Sequence, residues 1–184
     1  EVDAMVSKIL NYEQNPPSGN WRTTFGFVAD QPDSAGNFWA LSDVIASNPQ
    51  YVPPSFTAER IYYGQSPYTT SEVTRNGIVS AMNDGRLIVN YIGHGGIQLW
   101  GHDQIFRLGE VNALANGGQY PVMLEMTCYT GYFHYPGLPG LAEANVRAAG
   151  KGALASWAAS GLGIATGHDF LDRGFFNAVT QQGV

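Results

Sequence analysis

Two stretches in the middle of the chain, "RLIVNYIG" at 86–93 and "YPVMLEMT" at 120–127, are almost unbroken apolar runs. A strand with one wet face alternates polar and apolar side chains, so runs like these belong to strands covered on both sides. That points to the middle of a parallel sheet with helices packed on each face. The flanking sequence supplies matching parts. Apolar spacing predicts a helix over residues 1–13, stopped by the turn cluster "NPPSGN" at 15–20. "TTFGFVAD" at 23–30 reads as the first strand and runs into the turn "DQPDSAG". "NFWALSDVIAS" is helical up to Asn48-Pro49, and "PSFTAERIYYG" at 54–64 alternates like a second strand. A helix over 69–85 follows, with Thr70 or Ser71 as N-cap and Gly85 as its stop. Between the third and fourth strands lie a glycine-rich loop and a short helix at about 105–116. A helix at 141–150, a fifth strand at 151–160 and a closing helix at 168–179 complete the α/β pattern.

With 184 residues, 44% hydrophobic, and no repeat or long linker, residues 1–184 read as one domain with a sizeable core, excised from a larger chain. No apolar run is long enough to span a membrane. The net charge of −6 argues against a nucleic-acid partner, which needs clustered Lys and Arg. The sequence assigns no oligomeric state. A single cysteine rules out an internal disulfide framework and leaves two readings, a buried hydrophobe or a nucleophile.

In open parallel sheets, chemistry gathers beyond the carboxyl ends of the strands. Asp30, His94, Cys128 and Ser160 all fall at or just past such ends. If the third and fourth strands are neighbours, their tips lie about 5 Å apart. His94 and Cys128 would then flank a scissile carbonyl, the imidazole serving as proton carrier for the thiol. Gly95 and Gly96 let the backbone approach a substrate and offer N–H groups to an oxyanion. Glu125, three residues before the cysteine, points to the opposite sheet face and reads as a buried structural acid.

Together, "NYIGHGGIQLW", "MLEMTCYTGYFHYPG" and "LAEANVRAAGKGALASWAAS" resemble the gingipain family of cysteine peptidases, within the caspase-like clan. The resemblance implies a three-layer sandwich with a mostly parallel central sheet in the order 2-1-3-4-5. It implies Cys128 as nucleophile, His94 as catalytic imidazole, and an oxyanion hole from the N–H groups of Gly95 and Cys128. It also implies an extracellular or cell-surface location and a peptide or protein substrate. The chain departs from the family in having "MTCYTG" where the gingipains carry a cysteine pair, and Ile164 with glycines where an aromatic roof over the specificity pocket is expected.

In that strand order the turn after "FVAD" faces His94, so Asp30 or Asp33 is placed to orient the imidazole, unless both only cap the turn. The specificity pocket is expected from the loops after the first and fifth strands. Asp33, Asp43, Ser156 and Trp157 would there hold the cationic side chain of a P1 Arg or Lys. Two other readings stand beside the peptidase. One is a zinc-dependent hydrolase built on His102, His134 and His168; the other is a non-catalytic interaction module on the same scaffold. No cofactor is expected for the peptidase, although the acids near the turn at 30–37 offer oxygens to a structural calcium ion.

Overall fold

The computed structural model describes residues 2–182. Its elements are α1 (Val2–Gln14), a 3-10 turn (Asn20–Thr23), β1 (Thr24–Ala29), α2 (Phe38–Ala46), β2 (Thr57–Tyr62), α3 (Ser71–Asp84) and β3 (Ile88–Ile92). They continue with β4 (Gly95–Gly96), β5 (Leu99–Trp100), β6 (Phe106–Arg107), α4 (Leu108–Ala113), β7 (Val122–Met126), α5 (Leu141–Arg147), β8 (Ala155–Ala158) and α6 (Ala165–Asn177). One π turn (Ala178–Gln182) ends the described chain.

Five strands form one sheet in the order β2-β1-β3-β7-β8, with every neighbouring pair parallel. Counting its strands along the chain, this is the expected order 2-1-3-4-5. The apolar runs occupy its centre, where all five residues of β3 are buried. Alternation along each strand divides the core in two. Phe25, Phe27, Ile88, Ile92, Leu124 and Met126 pack with Phe38 and Ile45 of α2 and Phe176 of α6. Val28, Val89, Tyr91 and Met123 pack on the other face with Ile78 and Met82 of α3, Val111 of α4 and Leu141 of α5. Each fully buried Phe or Ile side chain contributes about 1.5–3 kcal/mol of hydrophobic stabilisation.

The helix starts follow the capping logic. Asn37 accepts the N–H of Ala40 at 3.0 Å, and Thr70 accepts that of Val73 at 3.3 Å. Gly85 ends α3 with φ 84°, a conformation that favours glycine.

Two features differ from the sequence expectation. The glycine-rich segment after His94 folds into a small antiparallel sheet, β4-β5-β6, and the helix after it is only Leu108–Ala113. This ribbon folds back over the sheet because Trp100 buries its indole on Tyr91, with ring centroids 4.4 Å apart and planes 8° from parallel. The closing helix begins at Ala165, three residues before His168, so its first turn carries residues read as loop.

Candidate active site

His94 lies in the connection between β3 and β4, and its main chain is tied on both sides. Tyr91 Oη donates to the His94 carbonyl at 2.6 Å, the Gly101 N–H donates to the same oxygen at 2.7 Å, and the His94 N–H reaches Asp30 Oδ2 at 3.4 Å. The ring is fixed separately. Its Nε2 lies 2.8 Å from Asp33 Oδ2, its edge meets Phe38 at 5.3 Å, and His102 lies against it at 4.4 Å between centroids. An ionised carboxylate only accepts, so Nε2 carries the proton and Nδ1 keeps its lone pair for proton transfer.

Of Asp30 and Asp33, the two acids placed to orient the imidazole, Asp33 contacts the ring, whereas Asp30 meets His94 only at its backbone N–H. Asp30 continues β1 by donating its N–H to the Ile92 carbonyl at 3.1 Å. Alternation then sends its side chain to the ribbon face, under the backbone of Gly93 and Gly101. The ring of His94 lies on the α2 side, with Phe38. Asp33 reaches it from a tight turn closed by mutual backbone bonds with Gly36. The environments of the two acids diverge accordingly. Burial pushes the Asp30 carboxyl up, against the N–H groups of Gln31 and His94 that favour its charge. The Ala35 N–H, then the His94 ring, hold Asp33 below the usual range. Both acids of the turn considered for calcium thus direct their carboxylates to protein N–H groups.

Cys128 follows β7, in a loop that continues the pairing with the β8 side. The Tyr129 N–H donates to Gly161 O and the Gly131 N–H to Ala159 O, each at 3.0 Å. This pulls Tyr129 into the left-handed region, φ 61°, an uncommon conformation for a bulky residue next to a functional side chain. The half-exposed thiol then rests on the Gly163 peptide, with Sγ 3.4 Å from its nitrogen and 3.6 Å from its oxygen. Gly95 packs so closely on the Thr127 side chain and the Cys128 carbonyl that a Cβ there would run into Thr127 Oγ1 and sit 2.9 Å from Cys128 O. Only glycine fits.

His94 and Cys128 share one cavity of about 220 Å³, completed by Ala35, Phe38, Gly93, Gly163, Ile164, Ala165 and His168. It forms between the loops after β1 and β8, where the sequence placed the pocket, but the residues nominated to line it lie elsewhere. Asp43 is engaged at the sheet edge, where Oδ1 accepts from Arg60 Nε at 2.8 Å and Tyr62 Oη at 3.0 Å. Ser156 and Trp157 are consecutive in β8 and face opposite sides. Ser156 Oγ donates to Glu125 Oε1 at 2.7 Å, while Trp157 meets Phe175 at 5.9 Å. A larger cavity of about 480 Å³ lies between α4 and α5 and touches neither His94 nor Cys128.

A family model described as peptidase family C25 matches residues 1–183. The chain belongs to that family. Among curated proteins, gingipain R2 and gingipain R1 of Porphyromonas gingivalis are each 38% identical over 76 residues, 41% of this chain. The chain spans only 10% and 8% of their lengths. Among solved structures, that of the Arg-specific cysteine proteinase gingipain R superposes with a TM-score of 0.81 at 23% identity, covering 98% of this chain and 42% of that one. A complex of pro- and mature domains from P. gingivalis gives 0.81 at 22% identity, covering 98% and 43%. These likenesses establish the caspase-like α/β fold for this C25 domain.

Within it, sequence reasoning missed Ala35, Phe38 and Ala165 as cavity walls, while the family resemblance had set Ile164 and its glycines at the specificity pocket. It weighed His168 only as a metal ligand or a surface residue. The sequence signal for Phe38 and Ala165 was their place at the starts of α2 and α6, beside the loops after β1 and β8. His168 is buried, which pushes its imidazole pKa down, opposed by its hydrogen bond to the Met126 carbonyl. Among the described residues, no three His, Cys, Asp or Glu side chains converge as a metal site. None of their helices is long and apolar enough to cross a membrane.

Proposed function

We propose that this chain is the catalytic domain of a cysteine endopeptidase. Cys128 Sγ attacks the scissile carbonyl carbon as the thiol proton passes to His94 Nδ1. The developing oxyanion is assigned to the N–H groups of Gly95 and Cys128, a reading supported by the close packing of Gly95 on Thr127 and Cys128. The carbon–nitrogen bond then breaks, and Nδ1 returns its proton to the leaving amine. Water, deprotonated by the same nitrogen, hydrolyses the thioester and frees the thiol. Asp33 holds the imidazole by Nε2 throughout. The observation that carries this reading is the shared cavity of Cys128 and His94, with the second ring nitrogen already occupied by a carboxylate. The family resemblance supports placing the enzyme outside the cell or at its surface, acting on peptides or proteins.

The P1 Arg or Lys preference expected from Asp33 and Asp43 is not part of this reading, because the structure commits both carboxylates to other partners. The test is hydrolysis of a mixed peptide library by the wild type and by Cys128→Ala. Turnover lost in the variant supports the thiol mechanism. Equal turnover in both overturns it, and chelator-sensitive turnover would move the assignment to a metal-dependent hydrolase. A folded wild type with an inert thiol and no turnover would favour an interaction module.

A further inference from the structure

We propose that the cavity beside Cys128 is an S1 pocket for an uncharged, apolar P1 side chain, selected by Phe38, Ile164 and His168. This rests on the peptidase reading above and names the substrate class of the same site. At about 220 Å³ the cavity is smaller than a typical small-molecule site and suits a single side chain. Beyond His94 and Cys128, its walls are two alanines, two glycines, Phe38, Ile164 and His168. No carboxylate and no Lys or Arg lines it.

Each acid on the neighbouring elements is already engaged. Asp33 gives one oxygen to the Ala35 N–H and the other to His94. Asp30 gives its two oxygens to the N–H groups of Gln31 and His94. Asp43 is held by Arg60 and Tyr62, Asp169 by Arg173, and Asp172 by Asn90. A cationic P1 head entering this cavity would lose water and meet no carboxylate in its walls, and an anionic one would find no fixed positive charge.

The apolar parts are set for a different guest. Ile164 is 71% exposed, so a substrate that covers it removes apolar surface from water. Phe38 supplies a fixed aromatic wall, because it is itself 3% exposed and packed into the α2 side of the core. His168 closes the pocket beside Gly163, where any Cβ would run into its ring, so residue 163 must be glycine for the pocket to keep this shape.

The experiment uses the full-length protein and peptidyl acyloxymethyl ketones that differ only at P1: Leu, Phe, Arg, Lys or Asp. The rate of Cys128 modification is read by intact mass. Leu and Phe reagents are expected to react at least about tenfold faster than the three charged ones, the scale on which apolar pockets discriminate. Ile164→Asp places a carboxylate at the rim and should raise the Arg rate relative to Leu by at least about tenfold. Arg or Lys reagents that match or exceed Leu in the wild type would overturn the pocket assignment and leave the peptidase reading standing. An unchanged ranking in Ile164→Asp would remove Ile164 from the pocket. Failure of every reagent to modify Cys128 in a protein with an intact thermal transition would overturn the peptidase reading, and the pocket with it.

Discussion

The two sides of the site are built to different standards. On the ribbon side the buried carboxylate, indole and phenol are paired, although Thr127 Oγ1 beside Gly95 has no partner among the described residues. Trp100 Nε1 donates to Glu125 Oε2 at 2.9 Å, Ser156 Oγ donates to Oε1 at 2.7 Å, and Tyr91 Oη binds the His94 carbonyl. On the α6 side Asn90 Nδ2 donates to Asp172 Oδ1 at 2.5 Å, but Asn90 Oδ1, Asp172 Oδ2 and Asp169 Oδ1 are buried without a protein partner. The same helix leaves Phe170 exposed and begins beside the exposed Ile164. A satisfied network rigidifies what it holds, and a half-satisfied one does not. The main chain of His94 is therefore anchored on the firm side, while its ring and the walls of the proposed pocket lie toward α2 and α6.

The largest effect should come from the reacting groups themselves. Cys128→Ala and His94→Ala are each expected to lower kcat by about 10⁴-fold or more, because nucleophile and proton carrier act as a unit. Their melting temperatures should stay close to wild type. A His94→Ala enzyme within tenfold of wild type would remove the imidazole from the mechanism.

The firm side is broken next. Trp100→Ala should cost about 3–5 kcal/mol in denaturant unfolding, since it empties a fully buried indole site and orphans a Glu125 oxygen. Phe170→Ala, on the exposed face of α6, should stay within about 0.5 kcal/mol. Comparable losses in the two variants would contradict the contrast.

Asp33 and Asp30 sharpen it further. Asp33→Asn should lower kcat about 10–100-fold with little change in melting, below the range for a group that itself transfers protons. Asp30→Asn should do the reverse, losing about 1–3 kcal/mol of stability by setting an amide against the N–H groups it now accepts. Exchanged outcomes would restore Asp30 as the orienting acid.

The smallest effect is a pH dependence on the loose side. Burial, with the nearby Asp169 charge adding to it, pushes Asp172 up to about 7, against the Asn90 bond that favours its ionised form. Its unfolded value is about 3.9. The folded state therefore holds the proton longer than the unfolded one. The associated stability is complete below pH 4 and is lost as pH rises through 7. Asp172→Asn should flatten that decline and be about 1–2 kcal/mol more stable than wild type at pH 8, less than the full shift because an ionised carboxylate draws in water. An identical fall from pH 4 to 7 in both proteins would assign the titration elsewhere.

The legible part of this molecule is the part governed by periodicity. Unbroken apolar runs placed β3 and β7 at the sheet centre, and that placement alone brought His94 and Cys128 to adjacent strand ends. The ribbon was illegible because strands of two residues, such as Gly95–Gly96 and Phe106–Arg107, are too short to show a period. What folds them back is the tertiary contact of Trp100 with Tyr91. Naming Ser156 and Trp157 together as pocket residues ignored the strand alternation that correctly placed Glu125. Asp43 failed for another reason. It lies in α2 and its partner Arg60 in β2, and the two meet only because α2 packs beside the strand that pairs with β1.

The zipper between residues 129–131 and 159–161 also bears on how such an enzyme comes into being. During synthesis the thiol and its imidazole emerge well before Gly163, Ile164 and His168. A ribosome-bound chain that ends just past Cys128 already contains both reacting residues but has no closing wall, no backbone clamp on the cysteine loop and no α6 beneath the sheet. Hydrolytic competence then waits on the docking of the final segment. On the proposed peptidase reading, the order of strands along the chain keeps the site incomplete until α6 has been made.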